Sequence, residues 1–492
     1  MSTHRLTASQ TIGRPLDEVF AFFSRPENLG RITPSAMGFE QVSTDLSMRA
    51  GLEIDHRIHP LLGIPMLWRS RIDAYDAPNA FVDVQVKGPY RRWHHTHTFS
   101  AVPGGTRIDD EVEYELPFGP LGTLAHRLVV RRQLLEIFRH RARAIEDVFA
   151  EPMPNAAPLS VAVAGGTGFV GGGIAQELFR RGHIVSVISH RGEAGRGTLP
   201  DSIAIREADV TDDADATVGG RLDRAVAGID ALVIVLAFRN SPIEAPRRGQ
   251  TFMNVDAGGT ERLVAAARRA GVRRIVYISG AGAAPDAKRH WFRAKARAEA
   301  AVRASGIPFT IIRPTWLYGP RDVALNRFLG FARTLFMVPL TNLGRQQLAP
   351  VFIGDAARLV ADSLVDDAAS NQVFELGGPE ALSMRTIVSR ALRAAHLRRP
   401  IIPGPTPLIK LAAAPLTLLP SPPLTPNAVD FINQPATVDL RPLLDRMPRR
   451  LTPLDEGLAT YLAPGSAPAD IAIDGVADES RTPDARGRPA RV

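Results

Sequence analysis

The sequence predicts two folded modules in series: an α+β module of strands closed by one long helix, then an α/β module built on a doubly wound parallel sheet with a small, mostly helical C-terminal part. Three observations carry this reading. Residues 5–149 run strand, helix, several strands and a long helix. A proline-rich break, Glu151-Pro-Met-Pro-Asn-Ala-Ala-Pro158, follows that helix. Beyond it, short β-rich runs alternate with helical segments, the pattern of parallel strands joined by crossover helices.

In the first module, residues 7–12 read as a strand, and 15–23 form a helix with Leu16, Val19, Phe20 and Phe23 on one face. Strands follow near 52–58, 68–75, 81–86, 92–101 and 106–115, and 119–122 turns the chain. A long helix spans 126–149, where Leu128, Leu135, Phe138, Ile145 and Val148 form a stripe that demands burial. In the second module the strands are 160–164, 183–189, 231–237, 274–279 and 310–313. From about 400 the chain is helical and punctuated by proline. Residues 465–492 are rich in Pro, Gly, Asp, Arg and Ala, with few large apolar side chains, which predicts a disordered tail. The expected domains are thus 1–150, a linker at 151–159, 160–395, a helical part at 396–464, and the tail.

At 492 residues, 45% hydrophobic and 22% charged, the chain has apolar material for more than one core. Cysteine is absent, which excludes disulfides, thiolate metal sites and a Cys nucleophile, and fits a reducing compartment, read here as the cytoplasm. Net charge is +8, but the only lysines are Lys87, Lys288, Lys295 and Lys410, and the arginines are scattered, so nucleic acid is not an expected partner. The opening MSTHRLTASQ lacks the apolar core of a signal peptide. The apolar stretch 407–424 is broken by prolines and does not read as a membrane span. Peripheral membrane contact and oligomeric state stay open.

The sharpest motif is Val161-Ala-Val-Ala-Gly-Gly-Thr-Gly-Phe-Val-Gly171. It sets Gly165, Gly168 and Gly171 between a strand and a helix. Gly165 permits a tight turn, Gly168 a close approach to pyrophosphate, and Gly171 close packing of helix on sheet. With Thr167, Phe169 and Val170 these residues are the expected dinucleotide cradle. The second strand ends at Ser189-His190-Arg191, with Arg196 beyond and no carboxylate before Glu193. An acidic residue there would hold the free ribose hydroxyls of NAD, whereas His190 and Arg191 suit a 2′-phosphate. NADP is therefore the expected cofactor, with NAD the alternative.

Taken with Asp209-Val210, Asn254-Val-Asp-Ala-Gly-Gly-Thr260, Ile312-Arg-Pro-Thr-Trp-Leu-Tyr-Gly-Pro320, Phe352-Ile-Gly-Asp-Ala-Ala357 and Phe374-Glu-Leu-Gly-Gly-Pro379, this motif resembles the extended or atypical short-chain dehydrogenases/reductases. Within them, the chain is most similar to NAD(P)H-binding proteins like the nucleotide-binding accessory subunit of respiratory complex I. The stretch Pro422-Pro-Leu-Thr-Pro426 and residues 430–439 look like that group's C-terminal part. The resemblance implies a Rossmann-like sheet in which Asp209 and Val210 contact the adenine side and Leu236, Ala237 and Phe238 pass beside the adenosine ribose. It also implies that Pro314 borders the cofactor and that Lys295 holds the nicotinamide ribose.

Reductases of that superfamily use a tyrosine as acid or base, with a lysine four residues later lowering its pKa. Here Lys295 is present, but the tyrosine position is Trp291, whose indole N–H does not exchange a proton at neutral pH. Ser279 is the candidate for the partner hydroxyl, though Gly280 fits that place equally. Ser279 and Lys295 are thus the candidate catalytic residues. Three readings follow: a cofactor-binding sensor or assembly protein without turnover, a reductase of a quinone-like or other apolar carbonyl compound with a different proton donor, and a sugar-nucleotide epimerase. Tyr277 and Tyr318 are the nearest tyrosines.

In the first module, Pro15-Leu-Asp-Glu-Val-Phe20, Asn28-Leu-Gly-Arg-Ile-Thr33, Gly88-Pro-Tyr-Arg-Arg-Trp93 and the run from Gly104 to Glu115 resemble the START/polyketide-cyclase-like superfamily. That resemblance implies a helix-grip fold, a curved antiparallel sheet around a long helix, and a small apolar ligand. On a strand, Trp93, His95, His97 and Phe99 share one face, with His94 opposite. No nearby carboxylate in the sequence completes a shell for His56, His59, His94, His95 and His97, so no metal site is expected.

Overall fold

The computed structural model describes residues 3–34, 37–61, 64–238, 241–334, 337–418, 425–463, 469–473 and 476–477. The chain divides into two compact units: Met1–Phe149 with Leu462–Val492, and Ala150–Tyr461.

The first unit is a nine-stranded antiparallel sheet with one long helical run. In spatial order its strands are Glu40–Gln41, Glu53–Leu61, Ile64–Asp76, Ala80–Lys87, Arg92–Val102, Gly105–Glu115, His4–Ile12, Asp470–Ile473 and Val476–Ala477. Alternation along each strand decides which side is buried: in Arg92–Val102, Trp93, His95, His97 and Phe99 are inside. The helix Leu16–Phe23 brings Val19, Phe20, Phe22 and Phe23 against Phe81, Phe99, Ile108 and Ile145. The long helix begins earlier than its apolar stripe indicates. Pro120–Ala125 and a π-helical turn, His126–Val130, lead into Arg131–Val148, because Pro120 suits a first helical position and Gly119 adopts φ +51° before it.

The tail expected to be disordered contributes a strand. Asp470–Ile473 pairs antiparallel with His4–Ile12, register Leu6 to Ile473, and buries Ile471 and Ile473 beside Leu6, Val112 and Leu134. Composition averaged over 465–492 hides these two isoleucines, which alternate toward the core and find an open sheet edge.

The second unit is a seven-stranded parallel sheet in the order Ala204–Glu207, Ile184–Ser189, Ser160–Ala164, Ala231–Ile234, Arg274–Ile278, Phe309–Pro314, Gln372–Leu376. Its strands are near-continuous apolar runs because helices cover both faces. The order reverses between the first strand and the fourth in sequence, and that switch point is where open α/β sheets bind ligands. Beyond 400 the part expected to be helical also contributes a strand, Ile401–Gly404, paired with Val338–Thr341. The helices Thr406–Ala413, Pro426–Ile432, Arg441–Arg446 and Leu454–Leu462 follow. Among the described residues no helix is long and apolar enough to cross a membrane.

Candidate dinucleotide site and a buried polar cluster

The Ser160–Ala164 strand ends at the switch point, and the chain turns through Gly165 into the helix Phe169–Arg180. Gly165 has φ +80°, and a Cβ there would lie 2.1 Å from the Val235 carbonyl oxygen. A Cβ on Gly171 would lie 2.4 Å from the Gly165 carbonyl oxygen, so this residue sets the close approach of helix to turn. Gly168 is the N-cap without a side-chain cap, leaving first-turn N–H groups available to an anion. The turn therefore fits a dinucleotide pyrophosphate.

Arg321, which the sequence did not single out, lies over this first turn: a Cβ on Gly172 would come 2.3 Å from its Nη2, and Nη1 donates to Thr198 Oγ1 at 3.2 Å. A lone arginine after a Tyr-Gly-Pro turn carries no sequence signal of that approach.

At the end of the second strand, His190 and Arg191 are exposed, and Arg191 N–H donates to Ser189 Oγ at 3.2 Å. Among the described residues no carboxylate pairs with Arg191. Arg196, expected as a second cation here, is spent on local structure: it grips Glu193 and donates to the Pro200 and Ile203 carbonyls. Asp209 Oδ1 accepts from the backbone and hydroxyl of Thr211, fixing the loop before Val210. Leu236 and Phe238 are buried and Ala237 is exposed, so this loop presents backbone and the Ala237 methyl. Pro314 ends its strand, and its carbonyl accepts from Ala281 N–H. Residues 419–424, which include most of the Pro422-Pro-Leu-Thr-Pro motif, lie outside the described residues.

The positions expected to carry catalysis are differently engaged. Lys295 Nζ lies 2.6 Å from Asp256 Oδ1 and donates to the Ile278 carbonyl at 3.3 Å. Burial would push the ammonium pKa down, but the Asp256 carboxylate overrides it and holds Lys295 charged. Ser279 donates its hydroxyl to Glu299 at 2.6 Å, and Arg313 Nε and Nη2 each donate to Glu299 at 2.7 Å. Trp291 is buried against Phe252 and Phe431. Tyr277 is fully buried, with its ring 5.4 Å from Lys295 Nζ. Tyr318 is fully buried too, its hydroxyl 3.5 Å from the Leu454 carbonyl.

Beside Trp291, His290 Nε2 lies 2.7 Å from Glu244 Oε2, and Glu244 Oε1 accepts from Phe252 N–H. Phe252 and Phe431 are stacked at 6.2 Å next to this pair. Glu244 stands 46 residues from His290, so only the fold reveals the dyad.

In the first unit the inner sheet face holds a second polar group. The expectation that no carboxylate approaches the histidines is corrected here. Asp83 stands directly across from His95, and Asp110 directly across from His97, on the two neighbouring strands. His95 Nε2 and His97 Nδ1 lie 3.2 and 2.7 Å from Asp110 Oδ1. His95 Nδ1 and His97 Nε2 lie 3.5 and 3.1 Å from Asp83 Oδ1. Arg141, from the long helix, donates to Asp110 at 3.1 Å and lies 3.2 Å from His97 Nδ1. Burial would raise the Asp110 pKa, but Arg141 and His97 hold it well below the carboxylate range. Burial, with His97 alongside, lowers the His95 pKa to about 4. The signal was present in the sequence: Ile108, Asp110, Val112 and Tyr114 alternate inward, with one acid in an apolar series. His56 is buried, His94 faces the other way, and the His59 side chain lies outside the described residues. A cavity of about 10 Å³, room for about one water, adjoins Asp110, Arg141, Gln10 and Phe138.

Strand order and glycine turn define the second unit as a dinucleotide-binding domain, and the antiparallel sheet with its long helix defines the first as a helix-grip domain. Residues 165–328 match the family described as NAD(P)H-binding, and residues 12–139 the family described as polyketide cyclase / dehydrase and lipid transport. The chain thus joins a polyketide-cyclase-like domain to an NAD(P)H-binding domain.

It is 27% identical over 260 residues to the NADH dehydrogenase [ubiquinone] 1 alpha subcomplex subunit 9 of Arabidopsis thaliana, covering 51% of this chain and 62% of that one. It is 29% identical over 252 residues to the (4-alkanoyl-5-oxo-2,5-dihydrofuran-3-yl)methyl phosphate reductase of Streptomyces griseus, covering 49% of this chain and 75% of that one. The chain spans less than two thirds of the respiratory subunits it matches, 62% of the plant one and 43% of that from Neurospora crassa. The solved UDP-glucose 4-epimerase from Thermus thermophilus in complex with NAD aligns at TM-score 0.49 and 20% identity, over 62% of this chain and 98% of that chain.

Proposed function

We propose that the second unit is an NADP(H)-dependent reductase of an apolar carbonyl compound in which His290, in place of the missing tyrosine, gives the proton. The observation that carries this reading is the His290–Glu244 pair, 2.7 Å long, beside the aromatic wall of Phe252, Trp291 and Phe431. When bound, the dinucleotide supplies a hydride to the carbonyl carbon. The chain's own residues do the rest. Glu244, fixed by the Phe252 N–H, holds the His290 ring through Nε2, leaving Nδ1–H to give a proton to the carbonyl oxygen. The aromatic wall seats the apolar body of the substrate. Lys295 and Ser279, bound into Asp256 and Glu299, act as structural supports, and His190 with Arg191 selects the 2′-phosphate.

NADPH oxidation by the purified chain against a panel of quinones and aldehydes tests the proposal. Turnover is expected, with kcat falling about 10²-fold or more in His290→Phe while NADPH affinity is kept. Calorimetry should show NADPH bound more tightly than NADH, with the difference lost in Arg191→Ala.

A second reading is a non-catalytic NADP(H) sensor or assembly factor, favoured by Trp291 at the tyrosine position and by the ion pair that ties Lys295 to Asp256. It predicts tight NADPH binding and no oxidation of any panel member. For the first unit, the family match supports a small apolar ligand. A fatty acid or quinone that raises the melting temperature of the full chain would bear this out.

A further inference from the structure

We propose that Asp83, His95 and His97 bind one divalent transition-metal ion of the zinc class inside the first unit, with Asp110 as the residue that orients both imidazoles.

The geometry carries this. At metal–ligand distances of about 2.0–2.1 Å, two ligands of a tetrahedral ion stand about 3.3 Å apart. Asp83 Oδ1 stands 3.1 Å from His97 Nε2 and 3.5 Å from His95 Nδ1, and all three ligand atoms fall within 4.8 Å of one another. Those atoms converge because two adjacent strands are in register, Asp83 across from His95 and Phe81 across from His97.

The opposite nitrogens of the two rings, His95 Nε2 and His97 Nδ1, both face Asp110 Oδ1. A metal-bound histidine typically donates its other N–H to a carboxylate in this way, which fixes tautomer and ring plane. Arg141 in turn anchors Asp110, and its guanidinium sits on the Asp110 side, packed over Phe23 and Phe138. Without an ion, Arg141 donates to His97 Nδ1 and His97 Nε2–H to Asp83 Oδ1; metal binding turns both N–H groups to Asp110 and frees the opposite nitrogens as ligands.

Two carboxylates face one guanidinium where the Asp110, His95, His97 and Arg141 side chains are no more than 10% exposed, a net charge of −1 that draws a cation; a divalent ion whose bound water is deprotonated leaves the group neutral. A proton on His97 is the competing occupant. Nitrogen and oxygen ligands without thiolate suit zinc, cobalt or nickel over calcium or magnesium. Three protein ligands leave a fourth position for water or a ligand atom.

Cobalt(II) added to the untagged, chelator-treated full chain tests the site, read by visible absorption and by equilibrium dialysis with metal analysis. One equivalent should bind, give d–d bands between about 500 and 650 nm characteristic of low coordination number, and be displaced by zinc. Asp83→Asn and His97→Gln should abolish the bands, Asp110→Asn should weaken binding ten- to a hundredfold, and His94→Gln on the outer face should change nothing. Each variant's fold is checked by its melting curve. If Asp83→Asn or His97→Gln fails to fold, wild-type stoichiometry, the bands and the Asp110→Asn shift decide. No stoichiometric binding by folded wild-type protein, or bands unchanged in the folded variants, would overturn the proposal and leave the proton as occupant.

Discussion

Lys295 and Asp256 form an ion pair 2.6 Å long in which the carboxylate is 3% exposed and the ammonium side chain 16%. The pair locks the helix His290–Arg303 to the turn Phe252–Gly258 that leads into the next helix. A lysine otherwise read as a cofactor ligand is thereby tied to the scaffold.

Asp256→Ala should therefore destabilise the second unit by about 3–5 kcal/mol, because it strands a buried ammonium. The double variant Asp256→Leu with Lys295→Met should recover most of that loss in urea unfolding. A single variant within 1 kcal/mol of wild type, the usual size for an exposed pair, would show that the pair is solvated.

Gly165 and Gly168 should respond differently to alanine. At Gly165 the new methyl meets the Val235 carbonyl oxygen at 2.1 Å with φ at +80°, so Gly165→Ala should disrupt the turn and lose both NADPH binding and stability. At Gly168 the nearest atom is 3.3 Å away, so Gly168→Ala should fold normally but bind NADPH more weakly. Paired calorimetry and thermal melts separate the two.

Asp322 gives a pH dependence with a defined sign. Burial pushes its carboxyl up to about 6, against the Leu325 and Ala324 N–H groups that favour its charged form. The unfolded chain releases this proton near 3.8, whereas the folded chain keeps it until about 6. The group's contribution therefore falls as pH rises from about 4 to about 6 and is level above, a change of about 3 kcal/mol at 1.4 kcal/mol per pH unit. Asp322→Asn should remove that slope from the second unit's unfolding free energy. Identical pH profiles for the two proteins would refute it.

Ending the chain at residue 463 should destabilise the first unit by about 3–6 kcal/mol, since it removes the buried Ile471 and Ile473 at about 1.5–3 kcal/mol each. It also bares the His4–Ile12 edge, so faster aggregation should accompany the lower melting temperature. An unchanged melting temperature would show that the strand adds nothing.

The sequence by itself determined what is local and periodic. It placed the apolar strand 160–164 followed by Gly165, Gly168 and Gly171, the alternation that puts Trp93, His95, His97 and Phe99 on one face, and the amphipathic run around Phe138 and Ile145. Each is legible because spacing along the chain sets which way neighbouring side chains point. Pairings between distant segments were decided only by the tertiary structure. Asp83 meets His95 and Asp110 meets His97 through strand register, Glu244 meets His290 across 46 residues, Lys295 is claimed by Asp256, and Ile471 finds the edge beside His4–Ile12. A buried charge is stable only beside its partner, and which residue becomes that partner is a property of chain topology and register that no local pattern encodes.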